Sequence, residues 1–480
     1  MPAAQFAEAS ASSATEVRWS APGRSLAVSE RRLLLLGVDI LVLLAVGYAL
    51  SFEHIGPGSS PGLALLFAIP WVVFAQLSGL YDLATASRGL ATMTAFLAAI
   101  SMYGVALLII YFAFIARTYG HPTAISKPNF MIFMAAPAAI GIWRLAYIRL
   151  FGAAHFQRKV LVVGAGTASA TLLRAVKENK GHGVAVVGLL DDAENRVGSL
   201  VEGVPVLGDS GLMWPLVANL GVEEVVLAVN QPSHQSLYEG LGICYEHGIA
   251  VSLMPRLYEE VTGQVPVEHM GPHWFGSVQL GRSGGGVFYA AKRLIDVIVG
   301  GLAAIVTLPL TLIIGALIKI TSRGSIFHVQ ERVGLHGRPF KIVKFRTMRD
   351  GAERPGEPIW ALAHDPRTTG VGHWLRRMHL DELPQFWLVV KGDMSLVGPR
   401  PERPEFVREL EETLPLYRAR YSMRPGIAGW AQINYPYGAS VEDALAKLRY
   451  DLYYVKNWSP ILDLAIMIRT VARVLGFKGR

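Results

Sequence analysis

The sequence predicts three parts in order: a membrane α-helical bundle, an α/β domain with a Rossmann-like parallel sheet, and a basic domain that begins with an apolar helix. Hydrophobic residues make up 52% of the 480 residues and charged residues 17%. The mean hydropathy of +0.35 is too high for an ordinary soluble protein, which predicts the membrane part. Short Val-rich runs that alternate with helical stretches predict the parallel sheet.

The first 152 residues contain the predicted bundle. Residues 1–30 are rich in Ala and Ser, lack a sustained period and lack a cleavage site after an apolar run, which predicts a disordered tail without a signal peptide. A four-helix transmembrane bundle is predicted over 31–152, because each of four apolar segments is long enough to cross a bilayer. The segments are 32–52, 62–80, 90–116 and 129–151. Arg and Lys before the first and after the last segment place both ends of the bundle in the cytoplasm.

Residues 157–265 are predicted to form the Rossmann-like α/β domain. The apolar runs KVLVVGAG, GVAVVGLLDD and VEEVVLAVN are separated by helical stretches, which is typical of parallel α/β sheets. GAGTAS resembles the dinucleotide fingerprint, with Gly164 and Gly166 in place, Ser169 at the third glycine position and Asp191 about 25 residues on. A nucleotide site and a domain that serves only as scaffold or regulator both remain open.

Residues 266–287 contain GRSGGG and are predicted to form a flexible linker. The apolar run at 295–320 is long enough for a fifth span. Lys292 precedes it and Lys319 ends it, so both flanks have cytoplasmic character, and Pro309 removes a helix hydrogen bond within it. These features favour a helix–break–helix that dips into one leaflet and returns, with a Pro-kinked spanning helix as the alternative.

The positive charge of the chain lies in its last third. From Arg323 onward there are 25 Lys and Arg against 17 Asp and Glu, a surplus of 8 that equals the net charge of the whole chain. This surplus predicts an anionic partner, which could be phosphate groups, acidic lipid or nucleic acid. Residues 459–480 are amphipathic with a basic end and suit either a membrane surface or a packed terminal helix. Cys244 is the single cysteine, which excludes an intramolecular disulfide and a CxxC metal site.

Within RRMHLDELPQFW (376–387), Asp381 and Glu382 stand side by side between two leucines, on a predicted helix. Four Arg- and Lys-containing clusters in turn-rich sequence accompany them, and planar guanidinium groups suit phosphate oxygens. No GxxxxGK[ST] loop occurs, which excludes a P-loop NTPase. Adjacent carboxylates cannot readily flank a glycosidic bond, which requires a separation of about 5–9.5 Å. Two interpretations remain: surface acids paired with Arg376 and Arg377, or one carboxylate that attacks phosphorus while the other holds Mg²⁺.

Residues 288–480 resemble the bacterial sugar transferase family, the monotopic phosphoglycosyl transferases, through KFRTM, LDELPQFWLVVKGDMSLVGPRP and RPGIAGWAQIN. The preceding spans and α/β domain resemble the large members, the undecaprenyl-phosphate hexose phosphotransferases of galactose- or glucose-phosphate type. The resemblance implies an α-rich monotopic catalytic domain with a re-entrant membrane helix hairpin. It also implies a multi-pass protein of the bacterial inner (cytoplasmic) membrane whose catalytic domain lies on the cytoplasmic side.

The family's reaction moves a sugar-1-phosphate from a UDP-sugar to undecaprenyl phosphate with release of UMP, and it initiates exopolysaccharide, capsule or O-antigen (lipopolysaccharide) synthesis. By the motif, Asp381 would form a covalent sugar-phosphate, and Glu382 would be its partner at a Mg²⁺ ion that both carboxylates hold. The substrate- and phosphate-binding positions implied by the motifs are Lys344, Arg376, Gln385, Arg400 and Arg424. Pro309 matches the kink of the hairpin. INYPYG after WAQ departs from the family pattern and leaves the sugar undefined.

The expected partners are a UDP-sugar, undecaprenyl phosphate, membrane lipid and a second copy of the chain, without nucleic acid. Two rival functions make demands that the sequence does not meet. A membrane-bound NAD-dependent nucleotide-sugar epimerase or dehydratase needs Tyr-x-x-x-Lys, and Tyr238 and Tyr245 have no lysine four residues on. A membrane-tethered nucleic-acid-binding protein needs aromatic residues among basic residues on an exposed element, whereas the basic residues here lie in turns.

Overall fold

The computed structural model describes residues 33–45, 69–76, 78–81, 89–110, 127–151, 157–179, 183–229, 235–270, 285–349, 351–352, 366–436, 438 and 440–475. The chain divides into two compact units, Met1–Thr262 and Gly263–Arg480. The tail predicted over 1–30 and the linker residues 271–284 lie outside the described residues. The division between the units falls after Thr262, whereas the sequence predicted the end of the α/β domain at 265.

Four helices coincide with the four apolar segments of the predicted bundle. They are Leu33–Ala45 (α1), 69–76 (α2), Gly89–Ile110 (α3) and Lys127–Phe151 (α4). Among the described residues, one helix is long and apolar enough to cross a membrane, and it is Tyr289–Thr321 of the second unit. The helix α1 and the Ala95–Gly104 part of α3 are shorter apolar helices. Four membrane crossings by the bundle therefore stay a prediction.

The bundle places charge inside and apolar side chains outside. Asp39 of α1 and Arg144 of α4 form a buried ion pair of 2.7 Å. The same Asp39 oxygen accepts hydrogen bonds from Trp71 Nε1 at 3.2 Å and from Tyr81 OH at 2.9 Å. The exposed large side chains are Leu33, Leu41, Ile69, Met93, Leu97, Ile142 and Leu145. A polar centre with an apolar exterior is expected of helices that pack against one another in lipid.

The rest of the first unit is a six-stranded sheet with the order β3-β4-β2-β1-β5-β6. All neighbouring strands are parallel except β3 and β4. The strands are Arg158–Val163 (β1), Val184–Leu190 (β2), Leu200–Val201 (β3), Val204–Gly208 (β4), Glu224–Leu227 (β5) and Ala250–Leu253 (β6). The helices are Thr167–Glu178 (α5), Met213–Leu220 (α6), Gln235–Glu246 (α7) and Met254–Thr262 (α8). The predicted parallel α/β domain is confirmed.

Two buried apolar clusters hold this sheet between its helices. Val160 and Val162 of β1 pack with α5 and α8, whereas Leu161 and Val163 pack with α6 and α7. Successive residues of a strand point to opposite faces, so a strand that is buried on both faces reads as a continuous apolar run. This is why KVLVVGAG carries no polar–apolar alternation.

The second unit consists mainly of helices around two small sheets. Its helices are Gly285–Thr321 (α9), Gly370–Arg377 (α10), Gln385–Lys391 (α11), Pro404–Thr413 (α12), Trp430–Asn434 (α13), Val441–Asn457 (α14) and Pro460–Leu475 (α15). Its strands are Phe327–Val333 (β7), Pro339–Phe345 (β8), Ser395–Val397 (β9) and Gly426–Ala428 (β10), with β7–β8 antiparallel and β9–β10 parallel. Val265 and Val267, at the predicted end of the α/β domain and start of the linker, pack in the core of this unit beside Val407 and Leu448.

The helix α9 runs through the predicted re-entrant segment as one element. Pro309 lies inside it, and the structure assigns helix on both sides without interruption. The structure therefore does not confirm the helix–break–helix expected from the sequence, and re-entry into one leaflet stays a prediction. A proline removes one backbone hydrogen bond, and in an apolar helix the hydrogen bonds of the neighbouring turns suffice to continue it.

The start of α9 is fixed to the second unit by polar contacts. Arg293 donates hydrogen bonds to the carbonyls of Val389 and Val390 at 2.5 and 2.7 Å. Asp296 is buried and accepts hydrogen bonds from Ser395 Oγ and Leu396 N, both at 3.1 Å. One turn of polar residues thus docks the helix on α11 and β9.

The end of α9 is fixed to the same unit by apolar contacts. Ile314 and Ile318 are buried in a cluster with Phe345 of β8 and Leu375 of α10. Between the two ends the large side chains are exposed: Leu302, Ile305, Val306, Leu308, Leu310, Leu312 and Ile313. The helix therefore presents an apolar middle between two ends that pack on the same unit.

Candidate active site

Asp381 and Glu382 lie on a short 3₁₀ turn, Leu380–Glu382, and not on the α-helix that the sequence predicted. His379 precedes the turn with a φ of 55°, and a left-handed residue cannot continue a right-handed helix. The helix α10 therefore ends at Arg377, and α11 begins after Pro384. Neighbours on a 3₁₀ turn diverge by about 120° because it has three residues per turn, so the two carboxylates point in different directions.

The leucines beside the two acids anchor the turn. Leu380 and Leu383 pack on the cluster that joins the end of α9 to Phe345 and Leu375. Both leucines that flank the dyad in the sequence thus pack on apolar side chains. The turn is held against the C-terminal end of the apolar helix α9.

Glu382 is the centre of a compact charge network. Its Oε1 lies 2.6 Å from Lys344 Nζ of β8 and 2.9 Å from Arg400 Nη2. Burial alone would raise the pKa of Glu382, but the charges of Arg400 and Lys344 outweigh burial and hold the pKa well below its ordinary value. Glu382 is therefore ionised throughout the neutral range.

Asp381 has the opposite environment. Its carboxylate accepts no hydrogen bond from the described residues. Burial and the neighbouring charge of Glu382 raise its pKa, and Lys344, Arg376 and Arg400 offset only part of that rise. Arg376 thus lowers the pKa of Asp381 without cancelling the rise.

Arg376 is held in place by the side chain of Thr347, which follows β8. Its Nε donates a hydrogen bond of 2.8 Å to Thr347 Oγ1. The helix α10 approaches this residue so closely that a Cβ added at Gly372 would lie 2.0 Å from Thr347 O. Thr347 lies in the KFRTM motif, but its contact with Arg376 depends on two segments that meet only in the fold.

Gln385 and Arg424 have different positions relative to the dyad. Gln385 is buried in the first turn of α11, and its Nε2 has no hydrogen-bond partner among the described residues. Arg424 donates a hydrogen bond of 3.0 Å to Gly392 O, beyond the C-terminal end of α11. Among the described residues, no ion pair or hydrogen bond joins Arg424 to Asp381 or Glu382. The structure thus gathers Lys344, Arg376 and Arg400 around the dyad and places Arg424 at the other end of α11.

The carboxylate oxygens fit a small divalent cation. Both oxygens of Asp381 and Oε2 of Glu382 accept no hydrogen bond from the described residues, and Mg²⁺ takes oxygen ligands of this kind. Among the described residues, no group of three or more His, Cys, Asp or Glu is arranged so that it could hold a metal ion. Mg²⁺ usually keeps several waters and is held by one or two carboxylates together with substrate phosphates. Two adjacent carboxylates therefore match the ligand count of a magnesium site that a substrate completes.

The glycine turn of the α/β domain is occupied by its own side chains. The backbone N–H of Ala165 donates a hydrogen bond of 2.7 Å to Asp191 Oδ2, and the same oxygen lies 3.0 Å from Arg196 Nη1. Ser169 is buried and its Oγ donates to Gly164 O, which explains the serine at the third glycine position. In a dinucleotide-binding domain, the amide of Ala165 would face the pyrophosphate and Asp191 would bind the ribose. Here the Asp191 carboxylate accepts a hydrogen bond from that amide instead. A dinucleotide fits this turn only if Asp191 moves away.

Two family models match the chain. Residues 287–477 match the bacterial sugar transferase, and residues 76–255 match a CoA-binding domain. The pyrophosphate of CoA meets the same obstacle at Asp191 as any dinucleotide, so the residues of this turn do not fit that ligand.

Relatives with similar sequences carry consistent names. The UDP-N-acetylgalactosamine-undecaprenyl-phosphate N-acetylgalactosaminephosphotransferase of Aeromonas hydrophila is 38% identical over 50% of this chain and 56% of that protein. The UDP-glucose:undecaprenyl-phosphate glucose-1-phosphate transferase of Xanthomonas campestris pv. campestris is 34% identical over 67% of each chain. The uncharacterized sugar transferase EpsL of Bacillus subtilis (strain 168) is 40% identical over 39% of this chain and 89% of its own length.

The chain spans about half the length of the first of these relatives. The similarity nevertheless covers the whole segment that contains the dyad, its three cations and the apolar helix α9. The match to the short relative extends over 192 residues and covers 89% of that protein. The chain therefore belongs to the bacterial sugar transferase family.

Proposed function

We propose that this chain transfers a sugar-1-phosphate from a UDP-sugar to undecaprenyl phosphate, which gives undecaprenyl-diphosphate-sugar and UMP. The observation that carries the proposal is the carboxylate pair at the end of an apolar helix, with three cations around it. A diphosphate donor and a phosphate acceptor both need positive charge, and an isoprenoid acceptor needs a site at the membrane. The relatives named above as undecaprenyl-phosphate sugar-phosphate transferases support the same reaction.

Asp381 is the nucleophile of this mechanism. A carboxylate oxygen of Asp381 attacks the phosphorus that bears the sugar, an O–P bond forms, and UMP leaves with the electron pair of the broken P–O bond. The lipid phosphate then attacks the same phosphorus and returns Asp381 to its carboxylate form. Asp381 is the carboxylate of the pair that accepts no hydrogen bond from the described residues, so it is the one free to react.

Glu382, Lys344, Arg376 and Arg400 supply the charge that this reaction needs. Glu382 orients Lys344 and Arg400 through its Oε1, and Arg376 lies near enough to lower the pKa of Asp381. A Mg²⁺ ion held by Asp381 and Glu382 would neutralise phosphate charge and favour the ionised form of Asp381. Positively charged groups fixed before the reaction stabilise charge that develops on the phosphate oxygens.

The helix α9 enters one leaflet of the membrane and returns in this proposal, with the bend at Pro309. Both of its ends pack on the same unit, while its exposed middle is apolar. A helix that crossed the membrane would separate two ends that here share one partner. The dyad lies beside Ile314 and Ile318 of this helix, at the level where the acceptor's phosphate meets water.

The wider setting follows from the same chemistry. The bundle crosses the inner membrane several times, the catalytic unit lies on the cytoplasmic side where UDP-sugars occur, and the product initiates exopolysaccharide, capsule or O-antigen synthesis. The chain acts as a homodimer. The residues that bind phosphate also include Gln385, whose buried Nε2 has no hydrogen-bond partner among the described residues, and Arg424 as a more distant contact.

One assay tests the reaction. Purified full-length protein is incubated with Mg²⁺ and each of UDP-glucose, UDP-galactose, UDP-N-acetylglucosamine and UDP-N-acetylgalactosamine, with and without undecaprenyl phosphate, and UMP is measured. We expect multiple turnovers with one sugar only when the lipid is present, and at most one UMP per chain without it. No UMP from any of these or other UDP-sugars, in protein that is folded and embedded in lipid, would contradict the proposal.

A further inference from the structure

Arg400 reaches Glu382 from a segment that has no regular secondary structure. It follows β9 in the sequence GPRPERPE, and its side chain is partly exposed. Long side chains on loops lose considerable rotamer entropy when they hold one position. The contact of 2.9 Å between Arg400 Nη2 and Glu382 Oε1 therefore requires a fixed backbone.

The backbone of this segment is held at four consecutive carbonyls. Gly426 N donates to Pro399 O at 3.0 Å, and Arg332 Nη1 donates to Pro401 O at 3.2 Å. Val333 N donates to Glu402 O at 3.0 Å, and Arg420 Nη2 donates to Arg400 O at 2.8 Å. Prolines on both sides of Arg400 have no N–H and a fixed φ, so the segment relies on its carbonyls for hydrogen bonds.

Arg420 is the only one of these donors that is itself a buried charge in an ion pair. Its Nη2 lies 2.7 Å from Asp451 Oδ2, and its Nη1 donates a hydrogen bond of 2.6 Å to Tyr417 OH. Arg420 is 5% exposed and Asp451 2%. One guanidinium thus connects α14, through Asp451, to the carbonyl of the residue that contacts Glu382.

We propose that Arg420 and Asp451 are positioning residues that aim the guanidinium of Arg400 at Glu382. The inference rests on the proposed function only for its kinetic readout. Asp451 fixes one edge of the Arg420 guanidinium, and Arg420 fixes the peptide of Arg400. The Arg400 side chain then contacts Glu382 from a fixed backbone. Replacing a buried pair by apolar residues often leaves a fold stable, so stability alone does not explain why charge is kept here.

The planar fork is the property that this role requires. The Arg420 guanidinium donates to Arg400 O, Asp451 and Tyr417 OH at fixed angles. The ammonium group of a lysine is a single charge on a shorter side chain and does not reproduce that geometry. Arg418 is the matched comparison, because it lies two residues earlier on the same 3₁₀ helix, Tyr417–Ser422. It pairs with Glu411 at 2.7 Å, and its side chain is 71% exposed.

The test is a double-mutant cycle of Arg420→Lys with Arg400→Lys in full-length protein, with Arg418→Lys as the control. UMP release and the thermal unfolding midpoint are measured for every member. Arg420→Lys should lower kcat/KM roughly tenfold in the wild-type background and less than about twofold in the Arg400→Lys background. The larger part of the loss should appear in kcat, and Arg418→Lys should match wild type.

Equal fold losses in the two backgrounds would mean that Arg420 supports the fold generally, and the proposal would be overturned. An unchanged kcat/KM in Arg420→Lys would overturn it as well. Should Arg420→Lys not fold, Asp451→Asn replaces it in the cycle, since asparagine keeps an acceptor for Arg420. Absence of UMP release from wild-type protein would refute only the proposed function. The thermal unfolding midpoints of the same double-mutant cycle would then decide this inference, because coupled residues give non-additive changes.

Discussion

Asp381 and Glu382 are neighbours in the chain, yet Glu382 accepts hydrogen bonds from two cations through one oxygen while Asp381 accepts none from the described residues. The charges of Arg400 and Lys344 hold the pKa of Glu382 low despite its burial, whereas burial and Glu382 raise the pKa of Asp381. In the proposed mechanism the two carboxylates therefore have separate tasks: Glu382 orients the cations, and Asp381 forms the bond to phosphorus.

Asp381→Asn should abolish both turnover and the covalent sugar-phosphate, because an amide keeps the shape but lacks the nucleophilic oxygen. Intact-mass measurement after incubation with the accepted UDP-sugar and Mg²⁺ should show an added sugar-phosphate in wild-type protein and none in the variant. Asp393→Asn is the control, because Asp393 forms only an exposed pair with Lys391, and it should retain wild-type turnover. Turnover near the wild-type rate in Asp381→Asn would show that another group is the nucleophile.

Glu382→Gln should reduce activity severely and should destabilise the protein in a pH-dependent way. A carboxylate whose pKa is lowered on folding stabilises the folded state above its unfolded pKa, and this stabilisation is lost as the pH falls. The difference in thermal midpoint between wild type and Glu382→Gln should therefore be largest near neutral pH. It should shrink from about pH 4.5 downwards. A difference that stays constant from neutral pH to about pH 3 would show that Glu382 gains no stability from Lys344 and Arg400.

The sequence identified the dyad and the cations that lie in recognisable motifs, and the structure brings Lys344, Arg376 and Arg400 to it. It did not reveal Arg420 and Asp451, because a buried pair from two distant segments leaves no local pattern. The 3₁₀ turn at Leu380–Glu382 was missed because the left-handed conformation of His379 is set by packing and not by a glycine or proline signal. The parallel sheet was predictable because strands buried on both faces read as continuous apolar runs.

The break at Pro309 was predicted from residue type alone, and the structure shows why that rule is insufficient. A proline costs a helix one hydrogen bond, but the surrounding apolar turns have no better alternative than to stay helical.

Topology therefore has to be tested directly. Ala291→Cys and Ser325→Cys place exposed thiols at the two ends of α9. The native Cys244 is buried, and burial raises the pKa of its thiol to about 11, so it gives little background.

Both new cysteines should react with a membrane-impermeant maleimide in inverted inner-membrane vesicles and stay protected in intact spheroplasts. A cysteine within the middle of α9, such as Ile305→Cys, should resist the reagent on both sides. Labelling of Ser325→Cys from the outside only would establish a crossing helix and would end the re-entrant proposal.

Removal of one charge of the Asp39–Arg144 ion pair should destabilise the bundle more than removal of both charges. Asp39→Asn leaves Arg144 buried without a counter-charge, and breaking a buried pair costs about 3–5 kcal/mol. The double variant Asp39→Leu/Arg144→Leu should recover much of the lost stability, as measured by unfolding of the purified protein in mild detergent. Equal stability of wild type and Asp39→Asn would show that the pair does not hold these helices together.

The α/β domain should not bind CoA or NAD, although its fold and one family model suggest such a ligand. Asp191 caps the amide of Ala165 and pairs with Arg196, so a pyrophosphate would have to displace a carboxylate that already satisfies both groups. Isothermal titration of wild-type protein with CoA or NAD at millimolar concentration should show no saturable heat.

Asp191→Ala frees one amide and one guanidinium and should gain measurable CoA binding. Asp209→Ala, which removes an exposed cap on Gly211 N elsewhere in the same domain, should not. A saturable signal in wild type that Gly166→Val abolished would contradict the prediction. A Cβ at Gly166 meets no neighbouring atom, so this variant would obstruct the turn without disturbing the fold.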